Sequence, residues 1–526
     1  MGLRSLRPAA LSLVLLIFPS TAMGQEIKEN HPNSSVFRDY KSPDRNELIR
    51  PSDATYQFWE GLLLMRRANS GDPVAQEELG YRYFLGKGFS ADTARAAYWI
   101  GKAADQNMPI AQYNLGVFLN NGWAVPWNPF KAYERFKAAA EDSLPEGEFA
   151  YGLFFTDNLV VPRDWPRAYR WVKLAGDAKY EPAQKVIAEF IRRGIPLSPD
   201  TTGGRTTPTH DSVSAGAVRS IEPLYLDYGP DTTSHVDDLT LLNEAFREGN
   251  DKFREALGVS HIFDKETEKD TTALSVIESA AGAGSPEALT VLGRCYERGA
   301  GVPRDRILAA EQYLQAARMD SRHGLALLLQ LVRENGFAGE VESRAKAGDD
   351  DAAFVWAGLT ELELDHRLLD DQALNLLVAA ANHNHLPSLI EVGRCYYTGQ
   401  WTARNPAAGA KYWRRAAEDG SRDAEIRLAA AAVVSDSNGA DSTLADSIRI
   451  LLTGSGDGST IAQLALGYCY ENGVGVAQNT PQAVRLYRNC AQRGSESAYN
   501  ALKRMYDKLR PKGREFDVDS AKDVGD

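Results

Sequence analysis

Residues 288–317 read ALTVLGRCYERGAGVPRDRILAAEQYLQAA, and the placing of their small, apolar and helix-ending residues decides the architecture. With Ala288 as position zero, a Leu-Gly pair stands at +4 and +5 (Leu292-Gly293) and an aromatic at +8 (Tyr296). Gly299 follows at +11, Asp305 at +17, Tyr313 at +25, and Ala316-Ala317 at +28 and +29. Leu292 and Tyr296 lie one turn apart, which gives a helix one apolar face. Gly299 accepts the left-handed conformation that ends a helix, and Asp305 can take hydrogen bonds from the first free amides of the next one. The segment therefore reads as two antiparallel helices joined by a Gly-rich turn, with Gly293 small enough to let them approach closely.

The same frame recurs outward along the chain. Ala75 precedes Leu79-Gly80, Ala111 precedes Leu115-Gly116, and Gly147 precedes Tyr151-Gly152. Ser388 precedes Val392-Gly393, and Ala462 precedes Leu466-Gly467. Consecutive starts such as 75, 111 and 147 are 36 residues apart. At +11 stand Gly86, Gly122, Gly399 and Gly473, with Asn158 in the third unit; at +17 stand Asp92, Asn128, Asp164, Asn405 and Asn479. Second helices carry an aromatic near +24 or +25: Trp99, Phe136, Trp171, Trp413 and Tyr487. Units beginning near Gly324, Ala353 and Ala424 keep the spacing but alter the Leu-Gly pair or the loop.

One hairpin cannot bury its own apolar face, so units must stack, and a small rotation per repeat gives a superhelix with a concave groove. The expected fold is all-α: a right-handed α-solenoid of antiparallel helix-hairpin repeats of about 36 residues, in two arrays joined by a linker. Residues 51–194 form the first array with an N-terminal capping helix, and 288–510 the second. Between them, 195–235 is crowded with Pro, Thr, Ser and Gly and reads as a flexible linker, and 236–287 as a helical cap. Residues 25–50 and 511–526 read as disordered tails.

Residues 1–24 have the form of a secretory signal, with Arg4 and Arg7 ahead of an apolar run from Ala9 to Phe18 and Ala22-Met23-Gly24 as the cleavage site. About ten apolar residues are too few to span a bilayer as a helix. Export to a periplasm is therefore expected, with an endomembrane lumen or the medium as alternatives and no membrane insertion after cleavage. A 526-residue chain of formal charge −12, 43% hydrophobic and 25% charged, is neither wholly disordered nor a polytopic membrane protein. Its acidity excludes a phosphate-backbone partner, so no nucleic acid is expected.

No constellation for chemistry emerges from spacing alone. Cys295, Cys395 and Cys469 fall at +7 of their repeats and Cys490 at +28, as small packing residues; Cys469 and Cys490 are the only pair placed to bridge. His383 and His385 form a His-x-His pair, with His366 as a further candidate, but no Cys or acidic residue stands beside them at ligand spacing, so no metal and no cofactor is expected. The sequence holds no nucleophile elbow, phosphate loop or His-Glu-x-x-His helix. Aromatics in the repeat register (Tyr83, Trp99, Trp171, Tyr296, Trp413) read as core. Tyr81, Phe84, Tyr113, Arg294, Arg394, Tyr397 and Glu471, outside that register on first helices, are the candidates for meeting a protein partner in the groove.

The segments Leu292 to Asp305, Leu466 to Val476 and Ala75 to Ala104 resemble Sel1-like repeats: the period of 36, the Leu-Gly pair, the Gly-x-Gly-Val loop and the double Ala separate them from the 34-residue tetratricopeptide repeat. That resemblance implies a non-enzymatic adaptor holding proteins in envelope signalling or secretion assemblies. It also leaves two alternatives, a lumenal quality-control adaptor and a weak hydrolase on cell-wall or β-lactam substrates. A self-assembling structural protein is a third reading.

Overall fold

A computed structural model describes residues 54–192, 271–435 and 442–518. These form two compact units, one of residues 54–192 with 502–518 and the other of 271–501. The expected signal segment, the N-terminal tail, the linker and the first part of the cap lie outside the described residues. Among the described residues the regular structure is helical, with no strand.

The first unit runs through α1 (Ala54–Asn69), α2 (Pro73–Leu85), α3 (Thr93–Ala104), α4 (Pro109–Asn121), α5 (Pro129–Glu141), α6 (Pro145–Leu153), α7 (Trp165–Asp177) and α8 (Glu181–Arg192). The second begins with α9 (Thr271–Gly282), α10 (Pro286–Arg298), α11 (Arg306–Ala317), α12 (Arg322–Arg333), α13 (Phe337–Lys346) and α14 (Asp350–Glu361). It continues with α15 (Asp370–Asn382), α16 (Leu386–Thr398), α17 (Pro406–Glu418), α18 (Arg422–Ser435), α19 (Ser442–Gly456), α20 (Thr460–Asn472) and α21 (Thr480–Gln492). The last helix is α22 (Glu496–Asp507). Within each unit consecutive helices pack on one another, from α1 to α8 and from α9 to α21, as a stack of hairpins requires.

The hairpin turn follows the sequence position by position. Gly86, Gly122, Gly299, Gly399 and Gly473 are left-handed residues at the ends of first helices; Asn158 takes φ of 58° at the same offset, although α6 itself already ends at Leu153. Asp92, Asn128, Asp164, Asp305, Asn405 and Asn479 each cap the following helix through the side chain. One further bond recurs in all six: the amide of the +17 residue donates to the carbonyl at +8, as in Asp92 to Tyr83 (2.9 Å) and Asp305 to Tyr296 (3.0 Å). It clamps the loop from both ends.

The glycine at +5 sets the distance between the two helices. A Cβ on Gly293 would lie 2.5 Å from the Tyr313 ring, and one on Gly467 would lie 2.6 Å from Tyr487. In the first two hairpins the equivalent filler is Ile100 and Phe136, and in the third Val172. The working register is thus +25, and Trp99 and Trp171, one residue earlier, are half-buried rather than central. At α16 and α17 the approach is tightest: a Cβ on Gly409 would sit 2.5 Å from the Gly393 carbonyl oxygen. Backbone cannot step aside as a side chain can. Gly409→Ala should therefore cost about 1–3 kcal/mol by overpacking, despite the roughly 1 kcal/mol of helix propensity it gains. Gly101→Ala, with nothing within 4 Å, should stabilise by about 0.5–1 kcal/mol. Denaturation midpoints of the two variants moving in the same direction would refute the close-approach role.

Two expectations at the chain's end are corrected. Residues 511–518, expected as the start of a disordered tail, carry a 3-10 turn (Arg514–Phe516) and bury Phe516 and Val518. The second array, expected to reach 510, ends at 501, because 502–518 belong to the first unit. The physical reason is apolar cover. Tyr506 packs edge-on against Trp127, Phe516 against Phe130 and Tyr133, and Glu515 accepts a 2.6 Å hydrogen bond from the Tyr133 hydroxyl.

The second array closes on itself. Arg493, almost wholly buried, donates Nε and Nη2 to the two oxygens of Glu287 at 2.8 and 2.6 Å, joining its last hairpin to its first. At the same seam Gly494 (φ 106°) leaves no room for a Cβ, which would stand 2.3 Å from the Asp320 carbonyl oxygen. Burial, together with the nearby Glu496 charge, pushes the Asp320 carboxyl up to about 7. The four cysteines are buried and none is in a disulfide, Cys469 and Cys490 included.

Candidate functional site

The seven residues expected to face a partner separate by array. In the first, Tyr81, Phe84 and Tyr113 are half-buried on α2 and α4. Phe84 stacks on Trp123 at 5.3 Å and meets Phe118 at 5.4 Å, so an aromatic group with part of its surface in solvent bridges two consecutive hairpins. Tyr113 leans on Phe136 at 5.5 Å. In the second array, Arg294, Tyr397 and Glu471 are buried. Glu471 accepts from the Tyr487 hydroxyl at 3.0 Å, as Glu297 does from Tyr313 at 2.6 Å; this is a repeat-internal bond between +9 and +25. Tyr397 packs against Trp413 at 4.9 Å, and Arg294 pairs with Glu297 at 2.8 Å.

Arg394 belongs to an internal ion network. Its guanidinium reaches Glu361 on α14 and Glu391 on its own helix, and Arg318, just past α11, pairs with the same two carboxylates at 2.8 and 3.1 Å. Two positive and two negative groups from three hairpins thus neutralise one another out of water, the arrangement under which buried charge is tolerable. Burial opposes ionisation of Glu391, but Arg318 and Arg394 outweigh it and hold its carboxyl at about 2. Burial opposes the charge on Arg394, but Glu391 and Glu361 outweigh it and hold its guanidinium well above the ordinary range.

A second polar cluster joins residues that no spacing connects. His385, the residue before α16, turns Nε2 toward Asp351 Oδ1 at 3.0 Å and Glu311 Oε2 at 3.5 Å. Its Nδ1 lies 2.8 Å from Ser388 Oγ. Asp351 comes from the first turn of α14 and Glu311 from the middle of α11, so three hairpins meet at one imidazole. Burial works against protonation of His385, yet its hydrogen bond to Asp351 and the neighbouring Glu311 carboxylate prevail and push it up to about 9. Hydrogen bonding to His385 draws Asp351 down, whereas burial raises Glu311. Glu311 Oε1 accepts from Gln312 and Gln315 at 3.1 and 3.3 Å; Oε2 is buried with no donor in hydrogen-bonding geometry.

His383, by contrast, pairs with Asp350 at 2.9 Å in the open, and His366 is exposed and outside the cluster. Ser388, His385 and Asp351 reproduce the order of a nucleophile, base and orienting acid. Ser388 is fully buried, however, and offers an incoming acyl carbon no line of approach. The arrangement holds an imidazole in place and does not present a nucleophile. Sequence spacing missed it because Glu311 and Asp351 lie 74 and 34 residues before His385; the one local hint was the acidic run Asp349-Asp350-Asp351 opening a helix.

Comparison with known proteins bears on the repeats. Residues 73–108, 109–143, 286–321, 386–421 and 460–495 match the Sel1 repeat. Among solved structures, the chain is similar to a protective antigen of uropathogenic Escherichia coli strains displaying an SLR fold, at 21% identity over 82% of this chain and 79% of that one, with a TM-score of 0.28. It is also similar to a Sel1 repeat protein from Oxalobacter formigenes, at 28% identity over 25% of this chain and 98% of that one, with a TM-score of 0.24.

Proposed function

Given that this chain is a Sel1-repeat protein, we propose that it is an exported scaffold which binds protein partners in an envelope signalling or secretion assembly. Sel1-repeat proteins generally act as protein-interaction scaffolds. The observation that carries the reading here is the stack of Phe84 on Trp123, partly in solvent across two consecutive hairpins, with Tyr81 and Tyr113 half-buried on the same two first helices. Large rigid rings with one apolar face uncovered are the side chains that anchor protein interfaces. The second array contributes rigidity: its candidate residues are engaged internally, so the partner is met by the first array.

The secretory form of residues 1–24 supports export, and among the described residues no helix is long and apolar enough to cross a membrane. The hydrolase alternative draws no support from Ser388, the serine seated beside His385, because that serine is buried. To test the reading, the chain and a Tyr81→Ala, Phe84→Ala, Tyr113→Ala variant would be crosslinked in intact cells and the attached proteins identified. A protein joined to the native chain and absent from the variant is expected. The same set recovered with both, from a variant of unchanged helicity, would remove the aromatic group from the proposal.

A further inference from the structure

We propose that Glu311, Asp351 and His385 form a binding site for one divalent transition-metal ion, zinc first, held in the second array. The three ligand atoms lie within 4.8 Å of one another. Nε2 stands 3.0 Å from Asp351 Oδ1 and 3.5 Å from Glu311 Oε2. A tetrahedral zinc with bonds near 2.0–2.2 Å separates its ligands by about 3.3 Å, and the two separations from Nε2 already lie within a few tenths of an ångström of that figure. The ion takes the place of the proton on Nε2.

The surroundings fit the same assignment. With Nδ1 donating to Ser388 Oγ, Nε2 turns its lone pair to the carboxylates; a hydrogen bond on the far nitrogen is the usual support of a metal-bound imidazole. Glu311 keeps one oxygen occupied by Gln312 and Gln315, while the other, buried and without a donor, points into the cluster. A buried carboxylate oxygen left without a hydrogen bond is costly unless something positive meets it. The Phe354 ring stands edge-on to His385 and walls one side, while the Asp351 side chain, about a third exposed, gives the ion a way in and leaves its fourth position to water or to a partner's donor. One imidazole with two carboxylates suits zinc and, less closely, manganese.

Location gives the site a role. Asp351 and His385 fall within 322–385, the stretch between two matched repeats where the repeat signature is lost. Glu311 belongs to the matched repeat before it. The ion would tie that irregular stretch to the regular array, replacing the order that the missing Gly-x-Gly loops would have supplied.

The test uses the full chain after chelator treatment, with zinc in titration calorimetry and cobalt as a spectroscopic probe of tetrahedral geometry. One equivalent of zinc is expected to bind, with an intense visible cobalt spectrum and a raised unfolding temperature. His385→Gln and Asp351→Asn should each abolish the cobalt spectrum, and Ser388→Ala should weaken binding 10–100-fold. His383→Gln, outside the cluster, should change nothing. If Glu311→Gln misfolds, the decision rests on Asp351→Asn, whose side chain is partly exposed, with circular dichroism confirming the fold. Absence of binding by the native chain overturns the site, as does binding that survives either His385→Gln or Asp351→Asn.

Discussion

Replacing Glu391 with leucine is expected to cost about 3–5 kcal/mol, because it leaves Arg318 and Arg394 in the interior with Glu361 as their only carboxylate. The loss would come from the stranded charge and only in small part from the missing bond. Removing the pair together, as Glu391→Leu with Arg394→Met, leaves the Arg318–Glu361 bridge at 2.8 Å to balance itself. The double variant should therefore recover most of the stability, and the two changes should be far from additive. The pH dependence has a definite sign. The Glu391 carboxyl is held at about 2 in the folded chain against an ordinary 4.5, so its stabilisation is complete above pH 4.5 and is lost as pH falls toward 2. Acid unfolding of the native chain should steepen within that window, and less so in the double variant. Additive single costs, or a Glu391→Leu chain as stable as the native one, would show that the network does not hold the three hairpins together.

The second large effect is expected at the far end of the chain. Phe516→Ala should lower the stability of the first unit by about 3 kcal/mol, the low end for a buried phenylalanine. Its ring covers Phe130 and Tyr133 at 5.4 and 5.8 Å. Arg510 anchors the same segment, donating to the carbonyls of Leu159 and Val160 at 2.8 and 3.2 Å and of Phe516 at 2.9 Å. Because two units unfolding in one chain give no single transition, the readout is hydrogen exchange of the α5 amides. Faster exchange there in Phe516→Ala, and faster still on removal of 511–526, is expected. Unchanged protection of α5 would return the segment to the status of a tail.

What the sequence by itself determined is the hairpin. Each of its instructions is local: an acceptor side chain at +17 finds amides two or three residues on, a glycine at +11 takes a positive φ, and a glycine at +5 meets a residue twenty positions later in the same unit. Such contacts depend on short separations that a 36-residue period repeats, and so they can be counted off the chain. Tyr397 and Glu471 show where counting stops. Their offsets place them on first helices, but whether that side meets solvent depends on how far the array winds. The winding is set by contacts such as Arg493 to Glu287, 206 residues apart. The same holds for His385, whose acidic neighbours come from two other hairpins, and for Phe516, a lone aromatic in a charged stretch with no period to announce its burial. Only the tertiary structure decided these, because Coulomb attraction and apolar cover act on distance in space, and the sequence records distance along the chain.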